Sequence, residues 1–275
     1  MVMSFVGMRV LSLESRRSVE MAELIRKQGG EPIVAPSLRE VPLKQSGVGE
    51  FAERLFAGDF DMMILMTGIG TRQFRRAIAE RYSETAFPDA LRRLTIAARG
   101  PKPVAALREM GLTAAIVAPE PNTWHELLAA LEGRPERRIA VQEYGRANPE
   151  LLDALRARGA EVTPVRVYRY DLPEDTVPLR DAVHRLARGE VDIAFFTTAF
   201  QIVNLVRIAQ EEGMEAEALD GLRHCRVMSI GPTTTEALQE FGVTAEFEPS
   251  HPKMGLLVRE SAERAARDRG FVHGT

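Results

Sequence analysis

The sequence predicts an α/β protein: two doubly wound (flavodoxin-like) parallel-sheet domains that arise from an internal repeat and are joined by a two-stranded linker. Three observations carry this. Short apolar runs alternate with amphipathic helical patterns along the chain. The runs MMILM, LTIAA, IAFF and RVMSI are apolar without alternation, the pattern of parallel strands covered on both faces. Segments of the first half also return in the second at a common offset of about 130 residues.

The elements follow in order. Arg9 opens RVLSLESRRSVEMAELIRKQGGE, a strand–helix unit that returns from Ile139 as IAVQEYGRANPELLDALRARGAE. DMMILMTGIG (Asp61–Gly70), a strand running into a helix start, returns as DIAFFTTAFQ (Asp192–Gln201). ARGPKPVAALREMG (Ala98–Gly111) returns as SIGPTTTEALQEFG (Ser229–Gly242), with proline after glycine at the first helical turn each time. GLTAAIVAPEPNTWHELLAAL from Gly111 matches GVTAEFEPSHPKMGLLVRE from Gly242, and Thr123 or Asn122 suits the cap before Trp124. In the helix after Asn148, that residue caps, Pro149 takes the first helical position, Leu151, Leu152 and Leu155 share a face, and Gly159 suits a left-handed stop.

The chain has 275 residues, is 45% hydrophobic and 27% charged, and carries a net charge of −3. A near-neutral protein has no long-range field for nucleic acid or an anionic membrane. The single cysteine, Cys225, excludes an internal disulfide and points to a reducing, cytoplasmic setting. MVMSFVGMRVLSL lacks a basic n-region and is interrupted by Arg9, so no signal peptide is expected.

Gly68 and Gly70 raise the question of a nucleotide loop. A dinucleotide fingerprint needs a third glycine where Gln73 stands, and no Gly-Lys-Ser/Thr triplet of a P-loop occurs. In the second copy Thr67-Gly68-Ile69-Gly70 becomes Thr198-Ala199-Phe200-Gln201, so the threonine is kept and the glycines are not. The shared feature is a strand ending in threonine before a helix N-terminus, whose backbone N–H groups suit an anion. Gly100-Pro101 and Gly231-Pro232 repeat the device. Turn-building alone explains each loop by itself. Tyr144-Gly145-Arg146 reads as the loop after a strand, with Arg146 matched to Arg16 of the first copy. A pair of arginines there suits a polycarboxylate, or equally an ordinary solvated loop. His224-Cys225 has no second ligand pair, so no metal is expected. Trp124 reads as packing, and Arg72, Arg75 and Arg76 as a solvated helix face, Arg72 within reach of the loop.

The motifs together, TxxxxxxF after an apolar strand, GPTTTEAL opening a helix, GxTAxxxxxxxxxGLL near the end and VxVYRY in mid-chain, resemble uroporphyrinogen-III synthase over Met8 to about Ala266. MTGIGTR and ARGPKP depart from that family's commoner serine-containing and VGxxT turns. The resemblance implies a discontinuous domain of residues 1–38 and 171–275, a second of 39–170, and linker strands near 37–43 and 166–172. It implies a lyase that takes the linear tetrapyrrole hydroxymethylbilane, a polycarboxylate, removes water and inverts ring D to give uroporphyrinogen III, without metal or cofactor; the sequence is compatible with a monomer but does not set the oligomeric state. It names Tyr168 as the group that assists the departing hydroxyl. The repeat pairs Tyr168 with Leu38, so the pseudo-symmetry breaks there, and the phenol is expected to line a cleft exposed to water; the alternative is a linker tyrosine that packs one ring face on a domain. Substrate contacts are expected from Arg16, Thr67, Gly68, Thr71, Arg99, Gly100, Tyr144, Gly145, Arg146, Thr197, Thr198, Ala199, Gly231, Pro232 and Thr233. Two alternatives stay open: a synthase-like regulator that binds a tetrapyrrole or another anion without turnover, and an unrelated two-domain receptor, disfavoured by the missing signal peptide.

Overall fold

A computed structural model describes residues 4–43, 47–143 and 148–272. The chain divides into two compact units, Met1–Arg39 with Asp171–Thr275, and Glu40–Tyr170.

The first unit opens with β1 (Arg9–Ser12), α1 (Ser18–Lys27) and β2 (Glu31–Val34), and β3 (Arg39–Pro42) leaves it. The second unit contains α2 (Val48–Ala57), β4 (Met62–Leu65), α3 (Gly68–Ala79), α4 (Ala86–Leu91), β5 (Thr95–Ala98), α5 (Pro101–Arg108) and β6 (Ile116–Val117). It continues with α6 (Trp124–Ala130), β7 (Arg138–Gln142), α7 (Pro149–Ala157), β8 (Glu161–Val165) and β9 (Tyr168–Asp171). The chain then returns to the first unit for α8 (Val177–Ala187), β10 (Ile193–Phe196), α9 (Phe200–Glu211), α10 (Glu215–His224), β11 (Arg226–Ser229), α11 (Pro232–Glu240) and α12 (Met254–Val272).

The first unit holds a four-stranded sheet in the order β11-β10-β1-β2, and the second a five-stranded sheet in the order β6-β5-β4-β7-β8. Every registered pair in both is parallel. β3 pairs with β9 in a two-stranded sheet, and both passages of the chain from one unit to the other fall within it.

The non-alternating strands are covered on both faces. In β4, Met63 and Leu65 pack with Phe51, Phe74 and Phe87, while Met62 and Ile64 pack with Leu127, Leu151 and Leu155 on the other face. β10 divides in the same way, Ala194 and Phe196 toward α8 and α9, Ile193 and Phe195 toward α1 and α12. Each of the Leu, Ile, Met and Phe side chains among these, removed from water, contributes about 1.5–3 kcal/mol. Helix ends follow local chemistry: Asn148 Oδ1 accepts from Leu151 N at 2.9 Å ahead of Pro149, and Gly159 leaves the helix at φ 82°. At α6, Thr123 and Glu126 form a reciprocal capping box.

Strand register corrects the alignment of the first strand–helix unit. Arg9 corresponds to Arg138, one residue from the sequence pairing of Arg9 with Ile139. The physical reason is a duplicated pair. Arg9 N and Nη2 donate to Asp192 at 2.6 and 3.1 Å, and Arg138 N and Nη2 donate to Asp61 at 2.9 and 2.6 Å. Each arginine opens its strand and holds the aspartate that precedes the neighbouring one.

Candidate functional site

In an open parallel sheet the carboxyl ends of the strands, where helices begin, are where ligands bind. In the second unit β4 ends at Leu65, and Thr67, in extended conformation at φ −144°, caps α3. Its Oγ1 accepts from Gly70 N at 3.0 Å, and Thr71 Oγ1 donates to Thr67 O at 2.8 Å. Thr67 N donates to Gln142 Oε1 at 3.1 Å. The Tyr168 hydroxyl lies 3.2 Å from Thr67 Oγ1. At the end of the adjacent strand Arg99 N donates to Leu65 O at 3.1 Å, and Gly100 caps α5. The structure thus brings Thr67, Gly68, Thr71, Arg99, Gly100 and Tyr168 together within one unit.

Tyr168 departs from the sequence expectation of an exposed phenol. It is 0% exposed, inside the core cluster that includes Phe51, Phe74, Val165 and Val167. Its ring meets Tyr170 edge-on at 5.3 Å. The reason lies in β9: its buried face turns the ring inward and leaves the hydroxyl to Thr67. Burial pushes the phenol pKa up, opposed by hydrogen bonds to Thr67 and Tyr170 and by the Arg99 charge. The group therefore stays protonated through the neutral range.

The glycines that suggest a nucleotide loop have another cause. A Cβ on Gly70 would stand 2.1–2.6 Å from the Gln142 amide, and one on Gly68 would stand 2.5 Å from Lys102 O. Both residues are buried in the first turn of α3, where a neighbouring strand and a neighbouring helix pass too close for any side chain. A Cβ on Gly100 would meet the Asn122 side chain at 2.7–3.0 Å.

The first unit gathers its own set. Thr197 N donates to Gln201 Oε1 at 2.6 Å and Thr198 N to the same oxygen at 3.3 Å. Gln201 Nε2 donates to Thr197 Oγ1 at 2.9 Å, and Thr197 Oγ1 donates to Glu14 Oε2 at 2.5 Å. Ala199, not Thr198, occupies the cap of α9. Ile230 N donates to Phe196 O at 2.9 Å, the counterpart of the Arg99–Leu65 bond. Gly231 then caps α11, its carbonyl accepting from Thr234 N and Thr235 N, with Pro232 at the first helical position and Thr233 half-buried. Arg16 is exposed in the loop before α1. Tyr144, Gly145 and Arg146 lie outside the described residues. The one-residue register shift removes the strand-based support for matching Arg146 to Arg16.

One expectation changes with these contacts. The strand-end N–H groups are not open to an anion as the sequence suggests: those of Thr67, Gly70, Thr197 and Thr198 already have side-chain acceptors. Three residues that sequence reasoning misses also enter: Gln142, Gln201 and Glu14. Comparison of Gly70 with Gln201 across the repeat held the signal for two of them.

Other candidates take structural places. Arg72 makes a two-pronged pair with Glu109, its Nε and Nη2 at 2.9 and 2.6 Å from the carboxylate oxygens, and Arg75 pairs with Glu84. Burial pushes the Cys225 thiol up to about 12, which makes it inert. Among the described residues no group of three or more His, Cys, Asp or Glu could hold a metal, and no helix is long and apolar enough to cross a membrane.

The family model described as Uroporphyrinogen-III synthase HemD matches residues 19–259. The chain is 32% identical over 266 residues to "Uncharacterized protein YjjA" of Bacillus subtilis (strain 168), covering 94% of this chain and 96% of that protein. It is similar to the crystal structure of a mutant uroporphyrinogen III synthase from the extremely thermophilic bacterium Thermus thermophilus, with a TM-score of 0.73, 28% identity, and 95% of this chain and 100% of the other covered. The wild-type enzyme of the same bacterium matches in a second crystal form with a TM-score of 0.57 and 29% identity, over 96% of this chain and 100% of that one.

Proposed function

The chain belongs to the uroporphyrinogen-III synthase family, and from that premise we propose that it cyclises hydroxymethylbilane to uroporphyrinogen III, with loss of water and inversion of ring D. The observation that carries the reading is the contact of Tyr168 with Thr67 at the carboxyl end of β4. A phenol and a threonine hydroxyl meet there, in the position where this fold presents ligands, beside the cationic Arg99.

The chemistry asks little of side chains and much of placement. The hydroxyl of the substrate leaves as water, and the proton it takes up is returned when the closed pyrrole regains aromaticity, so no net acid is consumed. The phenol, its pKa raised by burial, is a poor proton source but a permanent hydrogen-bond donor. Because Tyr168 is fully buried, it acts through the half-buried Thr67 hydroxyl, which bridges the phenol to the departing group. Arg99 and Arg16 are cations for substrate carboxylates. Gly100 in the second unit, and Gly231, Pro232 and Thr233 in the first, shape helix starts at the strand ends of their own units. Holding a long flexible chain in one folded form is an orientation effect, which accounts for the rest of the rate.

The test generates hydroxymethylbilane in situ with a coupled enzyme and separates the type I and type III products. The reading requires type III product in proportion to the protein added. Tetrapyrrole binding with only type I product, formed at the uncatalysed rate, would make the protein a binder without turnover.

A further inference from the structure

We propose that Gln142 is a positioning residue that fixes Thr67 and, through it, the Tyr168 phenol; the proposal rests on the reading of Tyr168 as the donor. Gln142 is the last residue of β7 and is 0% exposed. Its Oε1 accepts from Thr67 N, and its Nε2 donates to Glu143 O. A buried amide is costly unless bonded, so an apolar side chain would serve the core better unless the amide has a task.

The repeat identifies the task. Ile64 pairs with Val141 and the matching Phe195 pairs with Ser12, so the counterpart of Gln142 is Leu13. The counterpart of Gly70 is Gln201. One unit therefore carries glycine on the helix and glutamine on the neighbouring strand, and the other carries glutamine on the helix and leucine after the strand. An amide oxygen reaches the strand-end threonine N–H in both, at 3.1 Å from Thr67 and 3.3 Å from Thr198, carried by the neighbouring strand in one unit and by the helix in the other. The pairing is forced, since no side chain fits at Gly70 while Gln142 is present.

The two solutions differ in where the amide nitrogen goes. On the helix, Gln201 sends its Nε2 to the hydroxyl of Thr197, the residue before Thr198 and the counterpart of Met66, and Glu14 also holds that hydroxyl. On the strand, Gln142 sends its Nε2 to its neighbour's carbonyl, and the Thr67 hydroxyl faces Tyr168. Gln142 thus anchors the Thr67 backbone without engaging its hydroxyl, which stays with the phenol.

The experiment compares wild type, Gln142→Leu and the double variant Gly70→Gln/Gln142→Leu, which transplants the other unit's arrangement. Gln142→Asn, whose amide is one methylene short, replaces Gln142→Leu if that variant does not fold. With hydroxymethylbilane generated in situ, Gln142→Leu lowers kcat by about ten- to a hundredfold, the range for a reacting group displaced by a fraction of its reach, and leaves KM within about twofold. In a Tyr168→Phe background the same change has no further effect on kcat. Separately, 13C-labelled tyrosine is followed by NMR; the chain has four tyrosines, and Tyr168→Phe assigns the signal. The Tyr168 resonance moves in Gln142→Leu and moves back in the double variant. An equal loss of kcat in both backgrounds, or an unmoved Tyr168 resonance, overturns the proposal. Full activity of Tyr168→Phe alone would instead remove the donor reading, and the resonance would then decide the positioning claim by itself.

Discussion

At the ends of β4 and β10 the two copies of the repeat share a threonine, a helix start and a glutamine amide, and differ in where the amide comes from. The arginine–aspartate pairs at the opposite ends of the same strands, Arg138 with Asp61 and Arg9 with Asp192, are duplicated almost atom for atom. The repeat is therefore kept where strands enter the sheet and altered where they leave it. That is the division expected when one end of a parallel sheet is scaffold and the other carries chemistry. The break is widest at Tyr168, whose counterpart is Leu38, and at Arg99, whose counterpart is Ile230.

The sharpest way to break this comparison is to change both members of one matched pair. Tyr168→Phe is expected to lower turnover by about ten- to ten-thousandfold, the range for one positioned donor, and to lower the type III to type I ratio. Its folding cost is about 0.5–1.5 kcal/mol, because a buried hydroxyl bond is lost while Thr67 keeps Gly70 N as a partner. Leu38→Ala, in the other copy, is expected to cost about 2–5 kcal/mol of stability and to leave turnover unchanged at a temperature where it is folded. Assays and thermal midpoints on both decide the matter, and equal losses of turnover would erase the asymmetry.

A second pair tests space alone. Gly100 and Gly231 cap matched helices in extended backbone, so only the surroundings of an added methyl differ. Gly100→Ala runs into Asn122 and should cost about 1–3 kcal/mol. Gly231→Ala meets nothing nearer than Pro252 at 3.8 Å and should change stability by less than about 0.5 kcal/mol. Denaturant midpoints would show whether the second-unit loop is the tighter of the two.

The pH profiles give smaller effects. Folding raises the Tyr168 pKa, so its contribution is whole below the phenol's unfolded value of about 10 and is lost as pH rises through the higher folded value. Wild type should lose stability more steeply than Tyr168→Phe above about pH 10. Asp61 behaves oppositely. Arg138 holds its pKa down at about 2, so the pair contributes above the unfolded value of about 3.9 and fades as pH falls through about 2. Because both partners are part-exposed, Asp61→Asn and Asp192→Asn should each cost at most about 1 kcal/mol, and by similar amounts. Unequal costs in thermal melts would show that the shared end of the sheets is less alike than its geometry.

The α/β class was legible because strands covered on both faces leave a signal that survives without a structure: MMILM and IAFF lack alternation since Met62 and Met63, or Phe195 and Phe196, face different cores. Caps at Asn148 and Thr123 were legible for a similar reason, being local chemistry within three residues. The environment of Tyr168 was not. Nothing in VYRY says which face of a short strand is buried. The place of Gln142 depends on a contact between residues 75 apart, Thr67 and Gln142. The glycines misled for the same reason, since the neighbour that requires Gly70 to lack a side chain is on another strand.

The sheet order β11-β10-β1-β2 has a consequence for synthesis. β1 lies between β2, made almost at once, and β10, which begins at Ile193 after the whole of Glu40–Tyr170 has been translated. At roughly 5–20 residues per second, the edge of β1 that β10 will cover stays unpaired for about 9–36 s, while the contiguous second unit has all its strands. Val10 and Leu11 are on that waiting strand. Nascent chains stalled between Tyr170 and Ile193 would therefore carry a finished unit beside an open apolar strand edge, the kind of surface that chaperones bind and that aggregates when they do not.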